Sequence, residues 1–452
     1  MTGAPPSPPA DLVIVERFIE ATRDSGYKST PSAVAELVDN ALDAGAARVH
    51  VRVAADHDDP DLPLTLSVQD DGHGMTPEVM QRALGFGGST RFNQRGGLGR
   101  YGMGLPNSSV SQARRVTLYS WVEGGPVRRT WLDVDEVATG GVRAVPAPAE
   151  AQLPPQAPEP RGASGTLVVW TRCDRLDNKR PRTIARKLMI FLGRVYRHFI
   201  WRGVELLVND ERVVPVDPLY LAEDSRTQGG RPFGEPLEVE LAATSGGSGV
   251  VTVRFTELPV ARWHSLDNKE KRRRGVPGGA GISVVRGDRE IDYGWLFVKK
   301  RKENYDDWWR CEVRFDPILD EHFGITHTKQ QIRPSAELLE AVEFNMDAMA
   351  KMLNGRVRRA YLKAKGAGAP KKLPPSAPPP TNQAERGDAQ GVTWEPLRPN
   401  SQIQYERTTN VTVSELRRAT TKASSEAQHE SERRIIERFV RSLFADLGLG
   451  LQ

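Results

Sequence analysis

Apolar residues recur along the chain with two spacings, and the changes from one to the other separate helices from strands. Helical spacing runs through residues 15–24 and resumes at Thr30, a capping hydroxyl followed by Pro31 in the first turn. In this second segment Val34, Leu37, Val38, Ala41 and Leu42 cover most faces, and Gly45 supplies a C-terminal stop. Alternation then takes over at Val49, Val51 and Val53 and again at Leu64, Leu66 and Val68, which reads as two strands. Thr76-Pro77 opens a short helix, and a glycine-rich stretch fills residues 85–104. Strands are predicted at residues 116–121 and 127–134 around the Gly124-Gly125 turn, and a buried strand at 165–170. Leu188, Phe191, Leu192, Val195 and Phe199 return to helical spacing, and residues 204–208 and 212–216 read as a hairpin around Asn209-Asp210.

The second half alternates strands, at residues 237–241, 250–255, 282–286 and 311–315, with long polar loops, and a helix covers 336–364. Residues 141–163 are rich in Pro and Ala and read as a surface excursion. The pattern predicts an α+β protein: a disordered lead (1–10), a first domain (11–222), a smaller second α+β domain (223–340), a helix (341–364), a Pro-rich linker (365–400) and a helical tail (401–452). The 452 residues suit two or three domains, and 38% hydrophobic with 27% charged residues fits a globular core. Cys173 and Cys311 are the two cysteines, too few for a disulfide framework, so a reducing cytoplasm is expected. The N-terminal residues lack the apolar core of a signal peptide, and no run is long and apolar enough to cross a bilayer, so no membrane role is expected. A net charge of +5 permits contact with an acidic polymer without arguing for one.

Three segments carry candidate chemistry. Glu36, Asp39, Asn40 and Asp43 fall at helical spacing on the second helix. Alone, that stripe is the solvated face of an amphipathic helix. A carboxylate one turn before an amide also suits a site in which one group polarises a water and the other holds magnesium. Asp70-Asp71-Gly72-His73-Gly74-Met75 follows a strand; its carboxylate suits the exocyclic amine of a purine, and its two glycines allow close backbone approach to a flat ligand. Residues 96–108 are glycine-rich and lead into a helix, a cradle for phosphates, without the lysine of a P-loop or the βαβ context of a dinucleotide fingerprint. Each alone is also compatible with an ordinary turn or surface loop.

In this order the three segments resemble the boxes of the GHKL ATPases, the group of gyrase B subunits, 90-kDa heat-shock chaperones, histidine kinases, MutL and MORC proteins. Glu36-Leu37-Val38-Asp39-Asn40 looks like the first box, Asp70 to Met75 the second, Gly99-Arg100-Tyr101-Gly102-Met103-Gly104 the third, and Gly165-Thr166 the fourth. The catalytic glutamate separates the chain from histidine kinases. Thr326-His327-Thr328-Lys329-Gln330-Gln331 looks like the lysine loop of a transducer domain, most similar to MORC and MutL-type versions. The resemblance covers roughly residues 15–340.

The resemblance implies a Bergerat-type ATP-binding α/β sandwich followed by a transducer, with ATP and Mg2+ as cofactors. Glu36 would be general base, Asn40 the magnesium ligand, and Asp70 the adenine acceptor supported by Thr166. Gly72, Gly74, Met75, Gly99, Tyr101, Gly102, Met103 and Gly104 would line the nucleotide, with Gly102 and Gly104 offering N–H groups to the phosphates, and Lys329 would reach the γ-phosphate. It further implies slow ATP hydrolysis, a nucleotide-dependent homodimer closing as a clamp, and action on duplex DNA. A chaperone-like client binder and a non-hydrolysing, ATP-ordered module are the alternatives. A protein partner through the C-terminal helix is a further expectation. Lys269, Lys271, Arg272, Arg273 and Arg274 form a basic run, read as a Gly/Pro-rich loop facing either a duplex or solvent. The eight histidines show no metal spacing, and Trp308-Trp309 and the Tyr196/Phe199/Trp201 group read as packing.

Overall fold

The computed structural model describes residues 14–27, 29–55, 61–62, 64–88, 103–160, 162–325 and 331–366. The elements of the first part are α1 (Val15–Ser25), α2 (Thr30–Asp43), β1 (Arg48–Ala55), β2 (Leu64–Asp70), α3 (Pro77–Leu84), α4 (Gly104–Val110), β3 (Arg115–Trp121) and β4 (Arg128–Asp133). They continue with α5 (Val134–Ala138), β5 (Ala149–Glu150), β6 (Gly165–Thr171), α6 (Pro181–Val195), α7 (Arg197–Trp201), β7 (Glu205–Val208) and β8 (Glu211–Arg212). The eight strands form one sheet in the order β5-β4-β3-β6-β2-β1-β7-β8, antiparallel except where β1 runs parallel to β7. Helices α2, α4 and α6 lie against it, and Val34, Val38, Leu66, Leu118, Trp170 and Leu188 meet in the core between the layers.

Local chemistry sets the helix starts. Ser29 Oγ accepts from Ser32 N, 3.3 Å, ahead of Pro31, and Thr76 Oγ1 accepts from Val79 N, 3.5 Å, ahead of Pro77. One open reading is decided and one expectation needs correction. The polar stripe of α2 is not a solvated face: Glu36 is 3% and Asp39 0% exposed, because α4 and α6 cover the helix from both sides. The apolar run 188–199 is two helices, α6 and α7, broken at Tyr196.

The second sheet is built from β9 (Arg231–Ala242), β10 (Ser248–Glu257), β11 (Ile282–Arg286), β12 (Arg289–Gly294) and β13 (Trp309–Phe315), ordered β12-β11-β13-β10-β9. Around it lie α8 (Val260–Trp263), α9 (Asn268–Arg273), α10 (Asp320–Phe323) and α11 (Ala336–Gly366). Leu338, Val342, Met346, Ala350 and Leu353 form the stripe by which α11 seals this second core. The two cores stay distinct inside one compact unit. β12 escaped the sequence reading because Arg289, Glu290 and Asp292 break its alternation. The basic run expected as a loop begins as α9, capped by Asp267, whose Oδ1 accepts from Glu270 N. Trp308 and Trp309 are both buried, and Trp309 Nε1 donates to Asp306 and Asn354. Among the described residues no helix is long and apolar enough to cross a membrane.

Candidate nucleotide-binding site

Helix α2 supplies the central carboxylate. Glu36 accepts a hydrogen bond from the Tyr27 hydroxyl at 3.0 Å. Tyr27 is held in turn by its carbonyl, which accepts from Gln112 Nε2 at 3.0 Å, while Gln112 Oε1 accepts from Thr30 Oγ1 at the start of α2. Burial and the neighbouring Glu36 charge push the Tyr27 hydroxyl well above its ordinary range, so it remains a donor. The sequence reading missed Tyr27 and Gln112; neither lies in a recognisable box.

The third segment meets the first here. Gly104 opens α4 directly against Glu36: a Cβ on Gly104 would fall 2.0 Å from Glu36 Oε1. Only glycine lets the start of α4 come this close to the Glu36 side chain. Asn40, one turn after Glu36 and half-buried, makes no side-chain hydrogen bond among the described residues, which leaves its amide oxygen suited to a cation. Met103 precedes α4, half-buried. Gly99, Tyr101, Gly102 and Lys329 lie outside the described residues.

The second segment is tied to the centre of the sheet. Asp70 ends β2 opposite Thr166 of β6, and its Oδ1 accepts from Gly72 N at 2.9 Å. Desolvation pushes the Asp70 carboxyl up to about 6, against the pull of the Gly72 and Thr166 hydrogen bonds. Ser120 of β3 joins the segments: it accepts from Met75 N at 2.9 Å, donates to Gly165 O at 2.9 Å, and stands 3.1 Å from Thr166 Oγ1. Ser120, too, was absent from the sequence reading.

The glycines of this segment do something other than expected. With φ of 70°, Gly74 presses on β3, and a Cβ there would lie 2.0 Å from Trp121 O. A Cβ on Gly72 would meet Ala44 at 2.8 Å. Both are required by the protein's own packing. Asp71 is structural as well, accepting from Ala47 N and Arg48 N at 2.9 and 2.8 Å.

The donor set fits a magnesium nucleotide: a desolvated carboxylate beside a buried threonine for a base, and a carboxylate with an amide one turn on, abutting a glycine at a helix start, for the phosphate end. Residues 27–162 match the family model of histidine kinase-, DNA gyrase B- and HSP90-like ATPases. That segment is a GHKL-type ATPase region. Within it the similarity is to MORC proteins. The chain is 38% identical over 93 residues to the ATPase morc-1 of Caenorhabditis elegans, covering 21% of this chain and 10% of that protein. It is 36% identical over 99 residues to Protein MICRORCHIDIA 6 of Arabidopsis thaliana, covering 21% of this chain and 14% of the relative. Against Protein MICRORCHIDIA 5 of the same plant it is 32% identical over 111 residues, or 24% of this chain and 15% of that one. The match therefore spans 15% or less of each of these relatives.

One further carboxylate stands beside Glu36 and Asn40 on α2. Asp39, fully buried between Glu36 and Asn40, accepts from Arg289 Nε of β12 at 2.7 Å, and the Tyr196 hydroxyl lies 2.7 Å from the same oxygen. The sequence reading placed Asp39 on a polar stripe and gave Arg289 and Tyr196 no role at the site.

Proposed function

We propose that this protein binds ATP with Mg2+ and hydrolyses it slowly, and that the nucleotide state governs closure of a homodimer around duplex DNA. The observation that carries the reading is the buried Glu36 carboxylate, held by Tyr27 and set against Gly104 at the start of α4. A desolvated carboxylate facing a glycine-rich helix start is where an attacking water needs a base and a terminal phosphate needs N–H donors.

In this reading Glu36 accepts the proton of the attacking water, and Tyr27 orients the carboxylate. Asn40 offers its amide oxygen to the cation, which when bound neutralises phosphate charge. Asp70, with Thr166 and Ser120 behind it, accepts from the adenine amine. Gly74 and Met75 shape the base side by holding the turn after β2 against the end of β3, and Gly72 by holding it against Ala44, while Gly99, Tyr101, Gly102, Met103 and Gly104 close over the phosphates. Lys329, from the segment before α11, reaches the γ-phosphate and makes the second sheet sensitive to it. The functional division near residue 222, with a transducer to its C-terminal side, is part of the same reading. The GHKL family and the MORC-like similarity support ATP chemistry; DNA as the enclosed partner is supported by the exposed basic face of α9. The test is turnover of ATP with and without Mg2+ and duplex DNA. Magnesium-dependent phosphate release stimulated by DNA is expected. Turnover indifferent to DNA favours a chaperone-like client binder, and tight binding without phosphate release favours an ATP-ordered module.

A further inference from the structure

The tip of the β11–β12 hairpin is driven into the helices of the first sheet. Asp288 at its turn pairs with Arg202, just after α7, and with Arg314 of β13. Glu290 takes the fully buried Arg197 of α7, whose Nη1 lies 3.1 Å from Glu290 Oε2, and Arg194 Nε stands 2.6 Å from its other oxygen. Arg197 also donates to Ser283 and Glu312 of the second sheet, at 3.0 and 2.5 Å. Between these two anchors Arg289 passes over the Tyr196 ring and reaches Asp39 in α2.

This contact is aimed with unusual economy. Asp39 lies three residues after Glu36 and one before Asn40, so the turn of helix it occupies carries both groups that handle the phosphate end. A rotation or slide of α2 that moves Asp39 moves them too, because backbone hydrogen bonds make one helical turn a rigid unit. The pair is also a poor choice if its purpose were adhesion. Buried ion pairs seldom outdo well-packed apolar side chains of similar volume, but they demand a defined geometry. The same interface already has Glu290, Arg197 and Glu312 to hold it.

We propose that Arg289 is a positioning residue for ATP turnover: acting from the second sheet through Asp39, it sets the α2 turn that presents Glu36 and Asn40. The inference rests on the ATPase reading. Arg289 touches no nucleotide in this scheme; it makes the chemistry conditional on the second sheet being docked.

The test uses the full chain and measures kcat and ATP affinity separately. The natural sequence is assayed first: no magnesium-dependent turnover there overturns the ATPase reading itself, whatever Arg289 does. Given turnover, Arg289→Gln is expected to lower kcat about tenfold to a hundredfold, the scale of a small misplacement of a catalytic group. Affinity for ATP should stay within about threefold, because Asp70 and the base side are untouched. Asp39→Asn should behave alike, and the double variant should be little worse than either single one, the non-additivity of residues acting as a pair. Arg289→Lys, which keeps the charge and loses the directed guanidinium, should fall between. Arg202→Ala, at the exposed edge of the same hairpin contact, should match the natural sequence. An Arg289→Gln protein with unchanged kcat overturns the inference, as does one whose kcat and affinity fall together. If Arg289→Gln does not fold, Arg289→Lys decides: unchanged kcat in that variant overturns the proposal, and a reduced kcat at unchanged affinity supports it.

Discussion

Gly104 and Glu36 cannot both keep their places if the glycine gains a side chain, since its Cβ would fall 2.0 Å from Glu36 Oε1. The contact joins two sequence segments separated by 67 residues, 104 minus 37, and it gives the glycine a reason beyond flexibility. Gly104→Ala is therefore expected to push the Glu36 carboxylate off Tyr27 and lower ATP turnover by about 10²-fold, the scale of losing a placed base. Far-ultraviolet circular dichroism should be unchanged, because alanine favours the helix that starts there. Natural turnover in the Gly104→Ala protein would show that Glu36 is not the base.

Glu36 and Asp70 should fail in different ways. Glu36→Gln keeps the size of the side chain and its contact with Tyr27, so ATP binding should persist while turnover falls about 10²–10⁴-fold. Asp70→Asn replaces the acceptor at the end of β2, and calorimetry should find ATP affinity lost. Affinity retained in the Asp70→Asn protein would remove Asp70 from the base pocket.

The raised carboxyl of Asp70 predicts a pH dependence. With its folded value at about 6 against a usual 3.8, Asp70 is ionised at neutral pH and takes a proton as the solution is acidified. Its ionised form is the better acceptor for the adenine amine, so ATP affinity should be flat above pH 7 and fall below about 6, by at most about tenfold per pH unit. Its effect on stability has the opposite sense. Between 3.8 and about 6 the folded chain holds the proton more tightly than the unfolded one, so this residue's contribution to stability is largest below that window and is lost as pH rises through it. His198 opposes it: burial, with Arg197 beside it, pulls the ring down to about 3 from 6.5, so its contribution is present above 6.5 and is lost as pH falls. Titration of ATP affinity by fluorescence anisotropy checks the first effect, and an affinity that rises on acidification contradicts it.

Much of the scaffold was legible because it is local. The cap Thr76 before Pro77, the alternation through β1 and β2, and the Asn209-Asp210 turn, where both residues take positive φ, all read directly from neighbours in sequence, whereas at α2 the cap is Ser29 and the expected cap Thr30 is the first helical residue. The boxes were legible as separate segments, and the structure brings Glu36 to Gly104 and Asp70 to Thr166. What sequence could not supply was the supporting residues. Ser120, Tyr27 and Gln112 act through contacts 45, 9 and 85 positions away, and nothing in their own surroundings marks them. Asp39 was left open for the opposite reason: a charge at helical spacing suits solvent as well as a site, and its burial is supported by partners far along the chain, Tyr196 and Arg289.

Lys329 lies outside the described residues, and its role is tested by assembly. A non-hydrolysable ATP analogue should raise the dimer fraction in light scattering, with ADP doing so less. Lys329→Ala should blunt that response while leaving ADP affinity intact, since the lysine is assigned to the γ-phosphate alone. The same mass in the apo, ADP and analogue states would remove the clamp from the proposal.

The last prediction concerns DNA, and the geometry of α9 refines it. The basic run offers five cations in sequence, but they are not equivalent. Arg273 and Arg274 both bond Glu270, at 2.7 and 2.8 Å, and the Arg273 hydrogen bond helps pull that carboxyl down to about 2, so it stays charged at any working pH. Arg274 also lies over Trp263, and Lys271 donates to His264 O. Lys269 and Arg272 are exposed and make no side-chain bond among the described residues, which makes them the first to meet a phosphate. Replacing both with alanine should flatten the log–log salt dependence of duplex binding by about 1.8 per protomer, at about 0.9 for each phosphate neutralised. Replacing Arg273 and Arg274 as well should bring the change to about 3.6 at most, because exposed pairs with Glu270 are weak and yield readily to a phosphate. Glu270→Gln separates the two groups of cations: by freeing Arg273 and Arg274 it should steepen the slope and tighten binding. All three variants should lose or gain affinity alike on every sequence, since phosphate contacts carry no base information. ATP affinity should remain unchanged in each. Duplex affinity that ignores salt, or that survives all four alanines, would leave α9 as an ordinary solvated helix and shift the choice toward a chaperone-like client.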